Sequence, residues 1–183
     1  MDEKLGVSAS GMQVVLLDFP TDEDWLEVKR RALVTIGKTT EKAPDSRWRH
    51  KILEARHSPI RYLRYSFLLQ NIPTWVATHL VRHHEGFQPY VRSQRNDRQK
   101  DYDRNAARQD APVNMIVDIN AEALMVIANK RLCQQASEET RMLVGMMCML
   151  AQSGTPELEG LLVPMCEYHG GKCHEMFSCG RYE

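Results

Sequence analysis

No segment of the chain is apolar over the roughly 20 residues that a membrane-spanning helix needs. The longest run, Met142 to Ala151, is about half of that. No charged and then apolar segment opens the sequence, so a soluble, cytoplasmic protein without a membrane partner is expected. Neither sign of charge is in excess. The 24 Lys and Arg stand against 24 Asp and Glu, which argues against a nucleic-acid polymer as partner and makes any basic cluster a local feature that suits a small anion. Cysteine is sparse and odd in number, five in 183 residues. Without a leader sequence these read as reduced thiols rather than a disulfide framework. The chain also lacks a Walker loop, a Gly-x-Gly-x-x-Gly turn and a His-Glu-x-x-His helix. Ordinary nucleotide hydrolysis, dinucleotide binding and zincin chemistry lose support accordingly.

What is present, 43% hydrophobic and 26% charged residues, fits one domain spanning residues 1–183 with a real core. Residues 1–11 read as a loose N-terminal arm. Met12 to Phe19 is rich in β-branched and apolar residues and reads as a buried strand. Pro20-Thr21-Asp22 offers a cap for a helix carrying Trp25, Val28, Ala32, Leu33 and Ile36 at helical spacing until Gly37. A polar linker, Lys38 to Ser46, leads to a second helix over Arg47 to Arg56. Leu63 to Leu69 reads as a strand, with Asn71-Ile72-Pro73 turning it into the next helix. Met115 to Ile119 is a further strand, and Asn120 caps a helix from Ala121 to Leu132. Met142 to Ala151 is apolar on nearly every side, as a buried or subunit-interface helix would be.

Chemistry concentrates in Thr78 to Arg95. Arg82, His83 and His84 leave the apolar run around Trp75 together, and Ser93-Gln94-Arg95 then supplies a hydroxyl, an amide and a guanidinium. That donor set grips a phosphate when the loop folds back. A solvated basic loop after a core helix would have the same composition. From Arg92 to Arg108 the chain carries six basic residues and three acidic ones, which a mixed solvated face would also show.

Arg82 to Arg95 resembles the signature of the flavin-dependent thymidylate synthases, Arg-His-Arg, seven residues, then Ser with an Arg two positions beyond. His84 stands in place of the second Arg, and eight residues, Glu85 to Arg92, precede Ser93. Further matches follow in the same order. Arg104 to Asn114 resembles Arg-Glu-Val-Ala-Arg-x-x-Leu-Pro-Leu-Asn, and Asn120 to Arg131 resembles Asn-x-Arg-x-Leu ending in Arg, with Glu122 in place of the first Arg. Gln134 to Arg141 resembles the helix start Ala-Gln-x-Glu-Ile-Arg, with Ala136, Glu139 and Arg141 in place. The family's His-Glu-Thr-Pro-Phe-Glu-His is replaced here by Ser58-Pro59-Ile60-Arg61-Tyr62, so its Glu-His pair is lost.

The resemblance implies an α+β domain, an antiparallel sheet with packed helices, assembled as a homotetramer with sites shared between subunits. It implies FAD held by Arg82, His83, His84, Glu85, Asn120 and Gln135. It implies dUMP held by His79, Arg82, Ser93, Gln94, Arg95, Arg108 and Arg131, with Arg131 as the catalytic group. NADPH and methylenetetrahydrofolate would be co-substrates, the folate contributing one carbon, and no metal is implied. A guanidinium such as that of Arg131 lowers the cost of an anion on the uracil ring; at a helix end it also complements the dipole. Three alternatives remain: a flavin enzyme on the same scaffold modifying another pyrimidine nucleotide, a thiol mechanism through Cys166, and a non-enzymatic zinc module. The last would use the Cys-rich tail, residues 164–183, although its spacings lack a Cys-x-x-Cys knuckle. Interface packing is the other reading of that tail.

Overall fold

Period-two alternation of apolar and polar side chains builds the centre of the protein. The computed structural model describes residues 5–99 and 102–182. Five strands, β1 (Gly6–Ala9), β2 (Met12–Asp18), β3 (Arg64–Pro73), β4 (Phe87–Val91) and β5 (Pro112–Asn120), form one sheet in the order β1-β2-β3-β5-β4. Every neighbouring pair is antiparallel. On the three inner strands Met12, Val14, Leu16, Tyr65, Phe67, Leu69, Val113, Met115, Val117 and Ile119 are at most 4% exposed and face the core.

The helices are α1 (Asp22–Val34), α2 (Ser46–Glu54), α3 (Thr74–Leu80), α4 (Ala121–Arg131), α5 (Glu138–Gly154) and the single turn α6 (Met165–Tyr168). Helix α1 starts at a reciprocal cap: Thr21 Oγ1 accepts from the Asp24 amide and the Asp24 carboxylate accepts from the Thr21 amide, which satisfies two donors at once. Helix α4 is apolar almost all round, with Ala121, Leu124, Met125, Ile127 and Ala128 at 0–1% exposure. It packs against α5, α6 and β5. The result is a single α+β domain with an antiparallel sheet and packed helices, as expected.

Two expectations need correction. The arm expected over residues 1–11 contains β1, which pairs with β2 from Gly6↔Val15 to Ala9↔Met12; only Leu5–Gly11 of it falls within the described residues. A short edge strand with few large side chains carries little of the pattern that identifies inner strands. The turn expected at Asn71-Ile72-Pro73 is a β-bulge inside β3. Leu69 pairs with Met115 and Ile72 with Val113, so Gln70 and Asn71 together face Asn114. Asn71 takes a left-handed φ of 55°, which Asn tolerates better than most residues, and its amide donates to Asn114 Oδ1 at 2.9 Å. The extra residue changes the parity, returning Ile72 to the core at 0% exposure and directing Pro73 into α3.

The far face of the sheet carries an apolar row. Val15, Leu68, Ile116 and Tyr90 are cross-strand neighbours over β2, β3, β5 and β4. Ile116 is 38% and Tyr90 60% exposed.

Asn114→Ala is expected to leave the bulge amide without its partner and to cost about 1 kcal/mol. For a chain of this size that lowers Tm by about 2–4 °C. A melting curve unchanged from wild type would show that solvent satisfies the bulge equally well.

Candidate functional site

The turn between α3 and β4 meets the start of α4 at one residue. Asn120 ends β5 and caps α4, its Oδ1 accepting from the Ala123 amide at 2.8 Å, while its own amide donates to the Gly86 carbonyl at 2.9 Å. Gly86 has φ +68°, and a Cβ on it would lie 2.2 Å from Asn120 Nδ2. Only glycine combines that conformation with that approach. Two distant segments of the chain are thereby locked onto one cavity of about 890 Å³. Arg61, Arg82, His83, His84, Glu85, Asn120 and Glu122 supply its polar lining, and Ala123, Val126 and Ile127 supply an apolar wall. A flat ring against that wall with an anionic group toward the cations fits the lining. The volume and donor set accommodate a flavin cofactor.

Two departures from the family motifs meet in this cavity. Arg61 lies where the Glu-His pair is lost, and Glu122 where an Arg is lost. Arg61 Nε donates to Glu122 Oε2 at 2.5 Å and Nη2 reaches Oε1 at 3.3 Å. The hydrogen bond Arg61 donates to Glu122, followed by that carboxylate's charge, raises the Arg61 pKa above the usual guanidinium range. Neither residue was singled out as a candidate; two departures of opposite charge were the available signal. Tyr62 does not line the cavity, and the Arg31 guanidinium sits 3.9 Å from the centre of its ring.

Arg131 at the end of α4 does not line the cavity but reaches His83, which does, and the end of α3. Its Nε donates to His83 Nε2 at 3.1 Å, and its Nη2 donates to the His79 carbonyl, also at 3.1 Å. His79 Nδ1 lies 3.4 Å from Thr140 Oγ1 near the start of α5, and its ring meets Trp75 edge to face at 5.4 Å. Burial, then the positive charge of Arg131 and that of His84, push the His83 pKa below its ordinary 6.5. Burial, then Arg131 and Arg82, do the same at His79. Arg131 is itself lowered by burial and by Arg82. Cations are crowded here, and the neutral histidines relieve the crowding.

The other expected residues lie elsewhere in the single chain. Ser93, Arg95 and Arg108 are exposed, and none lines the large cavity. Arg95 is held by both oxygens of Asp97 at 2.7 and 2.9 Å, and Arg108 by both of Asp110 at 2.9 and 3.0 Å. Gln94 lines a separate cavity of about 470 Å³ with Arg92, Arg98, Gln99 and Tyr102, and its Nε2 donates to Thr74 Oγ1 at 3.0 Å. Arg92 and Arg98 were visible only as part of a basic stretch. Gln135 donates to the Phe177 carbonyl, tying the tail to the α4–α5 connection, and Lys130 pairs with Glu175 at 3.2 Å. In the tail the His169 and His174 rings meet at 5.0 Å. Among the described residues no group of three or more His, Cys, Asp or Glu is gathered as a metal site. Buried Cys148 has its thiol pushed up to about 12.

No family model matches the chain, and no curated protein matches it by sequence. Solved structures do match by fold. One is Thymidylate Synthase X (ThyX) from Helicobacter pylori with FAD and dUMP, at TM-score 0.65 and 15% identity, covering 82% of this chain and 97% of that one. Another is the UMP/dUMP methylase PolB from Streptomyces cacaoi bound with 5-Br dUMP, at TM-score 0.62 and 14% identity, covering 80% of this chain and 92% of that one. The fold is therefore shared with flavin-dependent thymidylate synthases, as the sequence resemblance implied, and with a related nucleotide methylase.

The depressed pKa values of His83 and His79 carry a sign. The unfolded chain binds their protons at higher pH than the folded one, so stability is full above the unfolded value near 6.5 and declines as pH falls below it. Denaturant midpoints measured from pH 8 to pH 5 are expected to fall, and His83→Gln, which cannot titrate, is expected to flatten part of that fall. An identical slope in the variant would remove His83 as a contributor.

Proposed function

We propose that the chain is a flavin-dependent thymidylate synthase, converting dUMP to dTMP with methylenetetrahydrofolate as one-carbon donor and NADPH as reductant. The observation carrying this reading is that Arg82, His83, His84, Glu85 and Asn120, all assigned to the cofactor by resemblance, line one cavity on the fold of an enzyme solved with FAD and dUMP. Arg82 and His84 would offer donors to the FAD diphosphate, Asn120 Nδ2 would offer one to the flavin ring, and the Val126–Ile127 wall would shield the bound ring from water. When bound, reduced FAD supplies the hydride that completes the methyl group. Arg131 stabilises the negative charge that grows on the uracil ring as carbon 5 attacks the one-carbon unit. No protein nucleophile is required.

In this reading the nucleotide site needs more than one copy of the chain. Ser93, Gln94, Arg95 and Arg108 lie off the cofactor cavity, so they would reach the phosphate of a nucleotide held by a neighbouring subunit in a homotetramer. Asp97 and Asp110 hold Arg95 and Arg108 until a dianionic phosphate competes for them. The exposed row of Ile116 and Tyr90 offers an apolar surface for such assembly. A second reading, a flavin enzyme on this scaffold acting on a different pyrimidine nucleotide, is favoured by the Arg61–Glu122 pair, in which Arg61 stands at the place of the lost Glu-His and Glu122 at that of a lost Arg. Cytoplasmic location belongs to the same proposal; no helix among the described residues is long and apolar enough to cross a membrane.

The experiment is reconstitution with FAD, NADPH, methylenetetrahydrofolate and either dUMP or UMP, with product identified by mass. Formation of dTMP supports the first reading; a modified product from UMP alone supports the second. Arg131→Ala is expected to slow single-turnover dTMP formation by about 10²–10³ while dUMP affinity changes by less than about tenfold. A variant as fast as wild type would reduce Arg131 to a helix-closing residue. Arg95→Ala is expected to weaken dUMP by about tenfold or more, since a hydrogen bond to a charged group is worth roughly 1.5–3 kcal/mol. FAD binding should persist in that variant, and calorimetry showing unchanged dUMP affinity would take Arg95 out of the site.

A further inference from the structure

We propose that His83 acts as the positioning residue for Arg131, holding the guanidinium by its side so that only its terminal edge is offered to the nucleotide. This inference rests on the reading of Arg131 as the group that faces the uracil. It adds a role for His83 that is independent of any contact with FAD.

The argument begins with the donors of the guanidinium. Arg131 has five N–H groups in one plane. The Nε hydrogen and one Nη2 hydrogen form the lateral edge, and this edge is taken: Nε by His83 Nε2 and Nη2 by the His79 carbonyl, each at 3.1 Å. Both acceptors come from one short piece of chain. His79 lies in the last turn of α3, where carbonyls lack an intrahelical partner, and His83 is four residues on. Two bonds to one rigid segment fix the plane as well as the position of the group. Among the hydrogen bonds of the described residues, Nη1 makes none. Both of its hydrogens and the second on Nη2 remain for a ligand. Arg131 therefore presents a terminal pair of donors, already ordered before anything binds, and a fork already in place costs less to use in a transition state.

His83 can accept from Nε only if its own proton is on Nδ1. A protonated His83 would set a donor and a positive charge against Nε–H. The neutral Nδ1–H form is thus a requirement of the contact, and burial with the nearby charges of Arg131 and His84 favours the neutral ring. A lysine at position 131 could not reproduce the arrangement, because one ammonium has no lateral edge to anchor while leaving a planar pair free.

The test uses the full chain. First, nitrogen-15 NMR of histidine-labelled protein without ligand should show His83 with its proton on Nδ1, and Arg131→Leu should shift it toward the Nε2–H form that free imidazole favours in water. Second, His83→Leu should slow single-turnover dTMP formation by about 10- to 100-fold, with dUMP affinity changed by less than about threefold. His83→Gln, whose side-chain oxygen can accept from Nε, should restore most of the rate. Third, FAD affinity measured by fluorescence should fall no more in His83→Leu than in His83→Gln.

A wild-type spectrum with the proton on Nε2 would overturn the proposal. So would a His83→Gln variant as slow as His83→Leu. FAD lost from both variants, with rates tracking that loss, would make His83 a cofactor ligand instead of a positioning residue. If the tautomer responds to Arg131→Leu but the wild type neither binds dUMP nor forms dTMP, the functional reading fails, and the contact only closes α3.

Discussion

The junction at Asn120 is the constraint on which the site depends. One backbone amide, one carboxamide and one glycine without a side chain join the end of β5, the start of α4 and the turn before β4. Because β5 lies between β3 and β4, moving Asn120 would disturb the centre of the sheet and not just a loop. The cationic turn thereby inherits the rigidity of the core. A loop of comparable charge anchored only at its ends would sample many arrangements, each costing conformational entropy on binding.

Electrostatics divides the site into two regimes. Around Arg131, His83 and His79, positive groups are crowded and half-buried, and the histidines yield by staying neutral. At Arg61 and Glu122 the opposite solution appears, a carboxylate brought directly onto a guanidinium. At this exposed position the pair itself adds little to stability. Its effect is on recognition: it sets a second carboxylate, besides Glu85, among the cations of the cavity and occupies the Arg61 guanidinium.

Most of the fold was legible because its signals are local. Asn120 and Thr21 stand where caps are needed, and the inner strands alternate cleanly. The turn Asn71-Ile72-Pro73 was not, because an Asn in a left-handed bulge has the same composition as an Asn in a turn. Only the partner strand, through Asn114, distinguishes them. Strand β4 was hidden inside a loop because Gly86 and Pro89 interrupt its pattern, although Pro is tolerated on an edge. Within the site, resemblance assigned Arg82, His83, His84 and Asn120 to one ligand and they line one cavity, yet it gave no sign that Arg131 spends its lateral edge on His83 and on the last turn of α3. Arg95 and Arg108 each have a carboxylate two residues on, a pairing readable from spacing alone but easily passed over when the basic residues are counted together.

The bulge at Asn71 also makes the protein sensitive to counting. Upstream of it the odd-numbered residues of β3 point to the core; downstream the even-numbered Ile72 does. Removing one residue would cancel that change of parity and turn α3 over relative to the sheet, carrying His79, Arg82 and His83 with it. In the stretch from Ser93 to Ala111, where the described residues form no strand and only turns, an inserted or deleted residue is absorbed locally. Length variation within this architecture is therefore permissible on the side that reaches outward and forbidden on the side that aims inward, a rule written by one asparagine.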